Sequence, residues 1–134
     1  MEQQPDPGFS PGLTARVELT VTDADTAQAL GSGDVPVLGT PRVLALAEAA
    51  SVAATSVRMP SGMTTVGIRV EIDHRSPTPV GRTVYASAQL AKVDGRRLLF
   101  EITVHDDSGM VAEGWVERML VNRHHFLKKA FLPR

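Results

Sequence analysis

Hydrophobic positions along this chain change period twice. From Leu13 to Val21 the apolar residues Leu13, Ala15, Val17, Leu19 and Val21 alternate with polar partners, the period of two that marks a half-buried strand. "DADTAQALGSGDVPVLG" follows, and its three glycines and proline predict a loop with one helical turn. The run "PRVLALAEAASVAATSVR" at 41–58 predicts a helix, with Thr40 as N-cap and Pro41 at the first helical position, ending near Arg58 before "MPSG". Beyond it the period returns to two. Residues 63–73 are β-rich, "SPTPVG" breaks them, and 83–93 puts Val84, Ala86, Ala88 and Leu90 on one face. "DGRR" turns the chain, Leu98, Phe100, Ile102 and Val104 share the next face, and "DDSG" turns it again. A last strand over 111–121 carries Trp115 and Met119 on one face and Ala112, Gly114, Val116, Arg118 and Leu120 on the other. The order β-α-β-β-β-β predicts an α+β fold, one helix packed on an antiparallel sheet.

The helix lacks a wet face. One stripe is Leu44, Ala47, Ser51 and Ala54, and the remaining faces carry Ala45, Ala49, Ala50 and Ala53. One sheet covers one side of such a helix. A curved sheet wrapped around it and completed by a second subunit, a homodimer, is therefore expected. Glu48 is the single ionisable residue between Arg42 and Arg58. A lone carboxylate in so apolar a run is solvent-facing, protonated or partnered, because burying it unpaired is strongly unfavourable.

Composition narrows the class. The chain has 134 residues, enough for a single domain over 12–134 behind a flexible leader at 1–11 rich in Pro, Gly and Gln. A net charge of -1 supplies no global field toward nucleic acid or anionic membrane. There is no cysteine, so disulfides, thiolate nucleophiles and Cys-based zinc sites are excluded. No signal peptide and no run of eighteen apolar residues is present, which predicts a soluble, cytoplasmic protein.

Several motifs fall in order: "GT" at 39–40, Glu48, Gly67 seven residues before His74, "DGRRL" at 94–98, "HD" at 105–106 and "ER" at 117–118. In this order and at these separations, over roughly residues 13–126, they resemble the fluoroacetyl-CoA thioesterase group of hot-dog enzymes. The resemblance implies a hot-dog fold, an antiparallel sheet around a long central helix, and a homodimer. It implies a catalytic set of Thr40, Glu48 and His74, with Gly39, Gly67 and Arg118 on the substrate. Coenzyme A would belong to the substrate, with no separate cofactor. One departure concerns the acyl group: the fluoroacetyl-specific enzymes carry phenylalanines on a lid just before the Thr, where this chain has "GSGDVPVLG". A different small acyl group is the expectation.

Each residue also has a plainer account. The Thr40 hydroxyl is a helix cap beside the positive end of the helix, a place that also favours a developing oxyanion. Glu48 lies eight residues on, about 12 Å of helix rise, so direct contact with Thr40 along the helix is not expected. His74, where a strand gives way to a loop, is the candidate intermediary and proton shuttle; its plainer account is surface polarity. Arg118 on a mostly apolar face needs an acid or an oxyanion as partner. Gly67 is a bulge glycine or a point of close backbone approach. His105 with Asp106 reads as turn chemistry, and neither that pair nor His124 with His125 has metal-ligand spacing, so no metal site is expected. Some of Arg75, Arg82, Arg96, Arg97, Arg123, Lys128 and Lys129 could hold phosphates, but the sequence does not select which. The function expected is hydrolysis of a small acyl-CoA, or a related acyl thioester, to acid and thiol. The alternative is a non-catalytic acyl-CoA or small-ligand binding module. A hydratase ranks last, because no Asp has a His five residues later.

Overall fold

The computed structural model describes residues 8–134. The chain runs β1 (Thr14–Thr20), a short 3-10 turn at Asp23–Asp25, α1 (Ala27–Leu30), α2 (Thr40–Ser56), β2 (Met63–His74), β3 (Thr83–Asp94), β4 (Arg97–Asp106), β5 (Gly109–Asn122) and α3 (Arg123–Ala130). The five strands form one antiparallel sheet in the order β1-β3-β4-β5-β2. Two hairpins join β3, β4 and β5, and β2 leaves the helix to pair with the far side of β5.

This sheet curls around α2. The predicted inward faces are the faces that are buried: Val84, Ala86, Ala88 and Leu90 of β3, and Leu98, Phe100, Ile102 and Val104 of β4. From α2 they meet Val43, Leu46, Ala47, Ala50 and Ala54. Small residues on α2 let the curled sheet approach closely, so the core is dense with little bulk on the helix. On β5 the alternation separates Val116, Arg118 and Leu120, which are buried, from Trp115, which is exposed on the outer face.

Several details differ from the sequence expectation. Gly39, not Thr40, caps α2, and Thr40 is its first helical residue. Of the leader expected over 1–11, residues 1–7 lie outside the described residues, while Phe9 is buried in the core. A C-terminal helix, α3, continues directly from β5 with Asn122 accepting a hydrogen bond from the His125 N–H. Its mixture of histidines, lysines and apolar residues has no clear helical stripe, and none of its residues is buried. Ala45, Ala49, Val52 and Ser56 form an uncovered line along α2. No helix among the described residues is long and apolar enough to cross a membrane.

Candidate active site

Thr40 and His74 meet where the start of α2 faces the end of β2. The Thr40 hydroxyl lies 2.8 Å from His74 Nδ1. With Nε2 carrying the imidazole proton, Nδ1 accepts from the hydroxyl and polarises it. Nε2 is buried and has no partner among the described residues. Burial pushes the His74 pKa below its ordinary value, partly offset by the Ser76 backbone, so burial favours the neutral ring. A groove of about 350 Å³ opens beside this pair, with Val35, Val37, Leu38 and Pro77 next to Thr40 and His74.

The start of α2 is pinned from behind. Asp25 accepts hydrogen bonds from the Thr22 N–H at 2.8 Å, from its hydroxyl at 2.9 Å and from Arg42 Nε at 3.0 Å. Burial opposes the Asp25 charge, but the Thr22 and Arg42 contacts outweigh it and hold the carboxyl below the usual carboxylate range. The Gly39 N–H donates to the Asp25 carbonyl at 2.9 Å, and a Cβ on Gly39 would sit 3.0 Å from the Ala27 backbone. Gly39 thus lets α1 and α2 touch, with its amide committed inside the protein.

A second cluster lies further along the same elements. Arg118 on β5 donates from Nη1 to Glu48 Oε2 at 3.0 Å, from Nε to the Thr65 hydroxyl at 2.9 Å and from Nη2 to the Thr65 carbonyl at 3.0 Å. Gly67 faces Arg118 across the β2–β5 ladder, next to a register shift that leaves Ile68 as an extra residue. A Cβ on Gly67 would collide with the Glu48 carboxylate and come within 3.3 Å of Arg118 Nη1. This bulge glycine therefore leaves room for the Glu48 and Arg118 side chains. The acid of the apolar helix is partnered, but its partner is Arg118. Within one chain His74 is not the intermediary expected between Thr40 and Glu48.

Thr65 escaped sequence reasoning. The cue available was its place two residues before Gly67 on the inward face of β2, but the register that sets it beside Arg118 is a tertiary fact. His105 stacks on Tyr85 at 5.7 Å, and Asp106 accepts the Ser108 and Gly109 N–H groups, the turn chemistry anticipated for that pair. His124 and His125 are exposed on α3. Among the described residues no group of three or more His, Cys, Asp or Glu is placed to hold a metal ion.

A five-stranded antiparallel sheet curled around a long central helix is the hot-dog arrangement, here with a Thr–His pair at the start of the helix and an Arg-held Glu at its middle. The family model for FlK, the fluoroacetyl-CoA-specific thioesterases, matches residues 21–124, and the chain belongs to this family. It is 31% identical over 93 residues to the fluoroacetyl-CoA thioesterase of Streptantibioticus cattleyicolor, covering 69% of this chain and 67% of that protein. Among solved structures, the fluoroacetyl-CoA thioesterase FlK superposes with a TM-score of 0.86 at 26% identity, covering 94% of this chain and 99% of that one. A hot-dog-like protein from Thermanaerovibrio acidaminovorans gives a TM-score of 0.85 at 25% identity, covering 94% and 96%. The protein is thus an acyl-CoA thioester hydrolase.

Proposed function

We propose that this enzyme hydrolyses a small acyl-CoA at a composite site, built from Thr40 and His74 of one subunit and Glu48, Gly67 and Arg118 of its partner. The observation that carries the reading is the separation of the two clusters on a single chain. Thr40 and Glu48 are eight residues apart on α2, about 12 Å of rise. Gly67 and His74 are seven apart on β2, about 23 Å of extended strand. One thioester carbonyl does not bridge that distance.

A two-fold axis removes the gap. β2 is an edge strand of twelve residues whose outer side pairs with nothing among the described residues. Antiparallel pairing of two identical β2 strands lays the His74 end of one beside the Thr65–Gly67 end of the other. The same axis would cover the uncovered line Ala45, Ala49, Val52 and Ser56 of α2.

In such a site the positive end of α2 faces the thioester oxygen and stabilises its developing charge, while the Thr40 hydroxyl keeps its hydrogen bond to His74. Arg118 holds Glu48 fixed, and Glu48 either attacks the carbonyl, expelling the thiolate and leaving an anhydride that water then opens, or takes the proton of the attacking water. The proton released by the attacking water returns to the departing thiolate, with neutral His74 relaying it through the Thr40 hydroxyl. Valines in the groove beside Thr40 and His74, where the fluoroacetyl-specific enzymes resembled here carry phenylalanines, favour an apolar acyl group other than fluoroacetyl.

Mixing inactive subunits tests the composite site. Thr40→Ala and Glu48→Ala proteins are each expected to be inactive on a panel of short acyl-CoAs, read by a thiol reagent. After unfolding and refolding together, half the dimers are mixed and each holds one intact site, restoring about one quarter of wild-type activity. Absence of rescue places all three residues on one chain and overturns the reading.

A further inference from the structure

Beyond the reacting groups, a groove of about 360 Å³ opens between α3 and the β3–β4 turn, lined by Arg96, Val121, Asn122, His125, Phe126 and Lys129. Two of the six are cations, one is an imidazole, and none is an acid. From Arg123 to the end the chain has four Lys or Arg, two His and no Asp or Glu, although the whole chain has a net charge of -1. The groove beside Trp115 on the outer sheet face has the opposite character, with Glu71, Asp73, Glu101 and Glu113 among its lining residues. Charge is therefore segregated on this protein, and its basic part is concave.

The groove is also firmly built. The Leu120 N–H donates to the Arg96 carbonyl at 2.8 Å, tying the β3–β4 turn to β5. The Arg123 N–H donates to the Gly62 carbonyl at 2.9 Å, and Asn122 caps α3. Core packing does not account for α3, which buries no residue and leaves the Phe126 ring 39% exposed.

We propose that this groove binds the nucleotide end of coenzyme A, with its phosphates on Arg96 and Lys129 and its adenine against the Phe126 ring. Guanidinium and ammonium groups bind phosphate oxygens by charge-assisted hydrogen bonds, and an exposed aromatic ring stacks on a base. The strands that carry Gly67 and Arg118 lead to it: Gly67 is opposite Arg118, Thr65 opposite Leu120 and Met63 opposite Asn122. Four residues of β5 separate Arg118 from Asn122, about 13 Å. An extended pantetheine arm is long enough to cover that span. The inference rests on the thioesterase reading for the reacting end of the arm. A single phosphate on the phosphopantetheine of a carrier protein shares part of this chemistry, but it has no use for the Phe126 ring.

Two measurements test the assignment. In the first, adenosine 3′,5′-bisphosphate is titrated calorimetrically into the wild type and into Lys129→Ala and Phe126→Ala, whose melting temperatures stay near wild type because both side chains lie on an exposed helix. Saturable binding to the wild type, weakened about tenfold or more in each variant, supports the groove. No binding to the wild type overturns it. In the second, KM and kcat are compared for acyl-CoA, acyl-phosphopantetheine and acyl-pantetheine. Lys129→Ala should raise KM for acyl-CoA about tenfold at unchanged kcat and leave acyl-pantetheine unaffected, and Phe126→Ala should act on acyl-CoA alone. Equal effects on all three substrates, or a silent Phe126→Ala with acyl-phosphopantetheine used as well as acyl-CoA, would overturn the nucleotide assignment. Retained bisphosphate binding without turnover of any thioester would instead sink the thioesterase reading and leave the groove standing.

Discussion

Arg118 binds Glu48 with one nitrogen and Thr65 with the other two, so a single guanidinium ties the acid of the central helix to the edge strand. The Arg118 side chain is 8% exposed and that of Glu48 33%. The Thr65 contacts are therefore structural, while the Glu48 contact lies at the mouth of the site. Lysine lacks the fork that makes all three bonds. Arg118→Lys should lower kcat/KM by about a hundredfold, the scale of effect when a reacting group is displaced by an ångström. The lost Thr65 bonds should reduce stability by about 1–3 kcal/mol. Steady-state kinetics and chemical denaturation check both, and an active Arg118→Lys protein would show that Glu48 needs no fixed partner.

Gly67→Ala separates space from backbone freedom. Gly67 is absent from the positive-φ glycines, so alanine fits its backbone and the conflict is with Glu48 and Arg118 alone. Gly67 is itself exposed on the edge strand. The expected outcome is a melting temperature close to wild type with kcat/KM at least about tenfold lower. Thermal melts beside kinetics decide it; a large fall in melting temperature would indicate that the glycine serves the fold.

The alternation of β1, β3, β4 and β5 was legible because the two faces of each strand differ in polarity, and the central helix because its caps and composition agree. Glu48 stood out because no other charge lies between Arg42 and Arg58. What escaped is tertiary. Thr65 gains its role only from the register of β2 against β5, and the Asp25–Arg42 pair only from the path of the loop before α2. Thr40 had the right residue type for a cap, yet Gly39 took that position because α1 approaches too closely for a side chain there. Helix α3 escaped because its six apolar and basic residues follow no stripe that a core would impose.

His74 should set the acid limb of the rate profile. Burial lowers its pKa below 6.5, so kcat/KM should hold through neutral pH and fall only on the acid side of the ordinary histidine value. Stability follows the same sign. In the window between the folded value and 6.5 the unfolded chain binds more protons at this site, so stability rises with pH there. It is complete above 6.5 and falls as pH drops through the window. His74→Asn should remove this part of the pH dependence of the melting temperature along with activity. An activity limb lying above pH 6.5 would contradict a buried, neutral His74.

Asp25 predicts a more acidic transition. Its folded pKa lies below 3.8, so its contribution is fully present above 3.8 and is lost as pH falls through the folded value. Asp25→Asn keeps shape but weakens the bonds from Thr22 and Arg42, and should lower stability at neutral pH by about 1–2 kcal/mol. Because the Asp25 carbonyl also holds the Gly39 amide, loosening this corner should reach Thr40 and lower kcat several-fold. Denaturation at pH 7 and at pH 3 checks the sign: the difference between variant and wild type should shrink at the lower pH.

Val52 tests the subunit contact through the helix. It is 43% exposed on α2 in a line with Ala45, Ala49 and Ser56, and the sheet of its own chain lies on the other side. A second subunit seated there would bury Val52 against an identical helix face, where a carboxylate finds no partner and two would face each other across the axis. Val52→Glu should therefore dissociate the dimer while leaving the single-chain core intact, because no core residue touches the change. Light scattering should give a dimer for the wild type and a monomer for Val52→Glu, with far-ultraviolet circular dichroism preserved. Activity should disappear with the dimer, since Thr40 and His74 then lose the Glu48 of the partner subunit. A monomer that still hydrolyses acyl-CoA would require Thr40, His74 and Glu48 of one chain to converge during turnover, against their separation along α2 and β2.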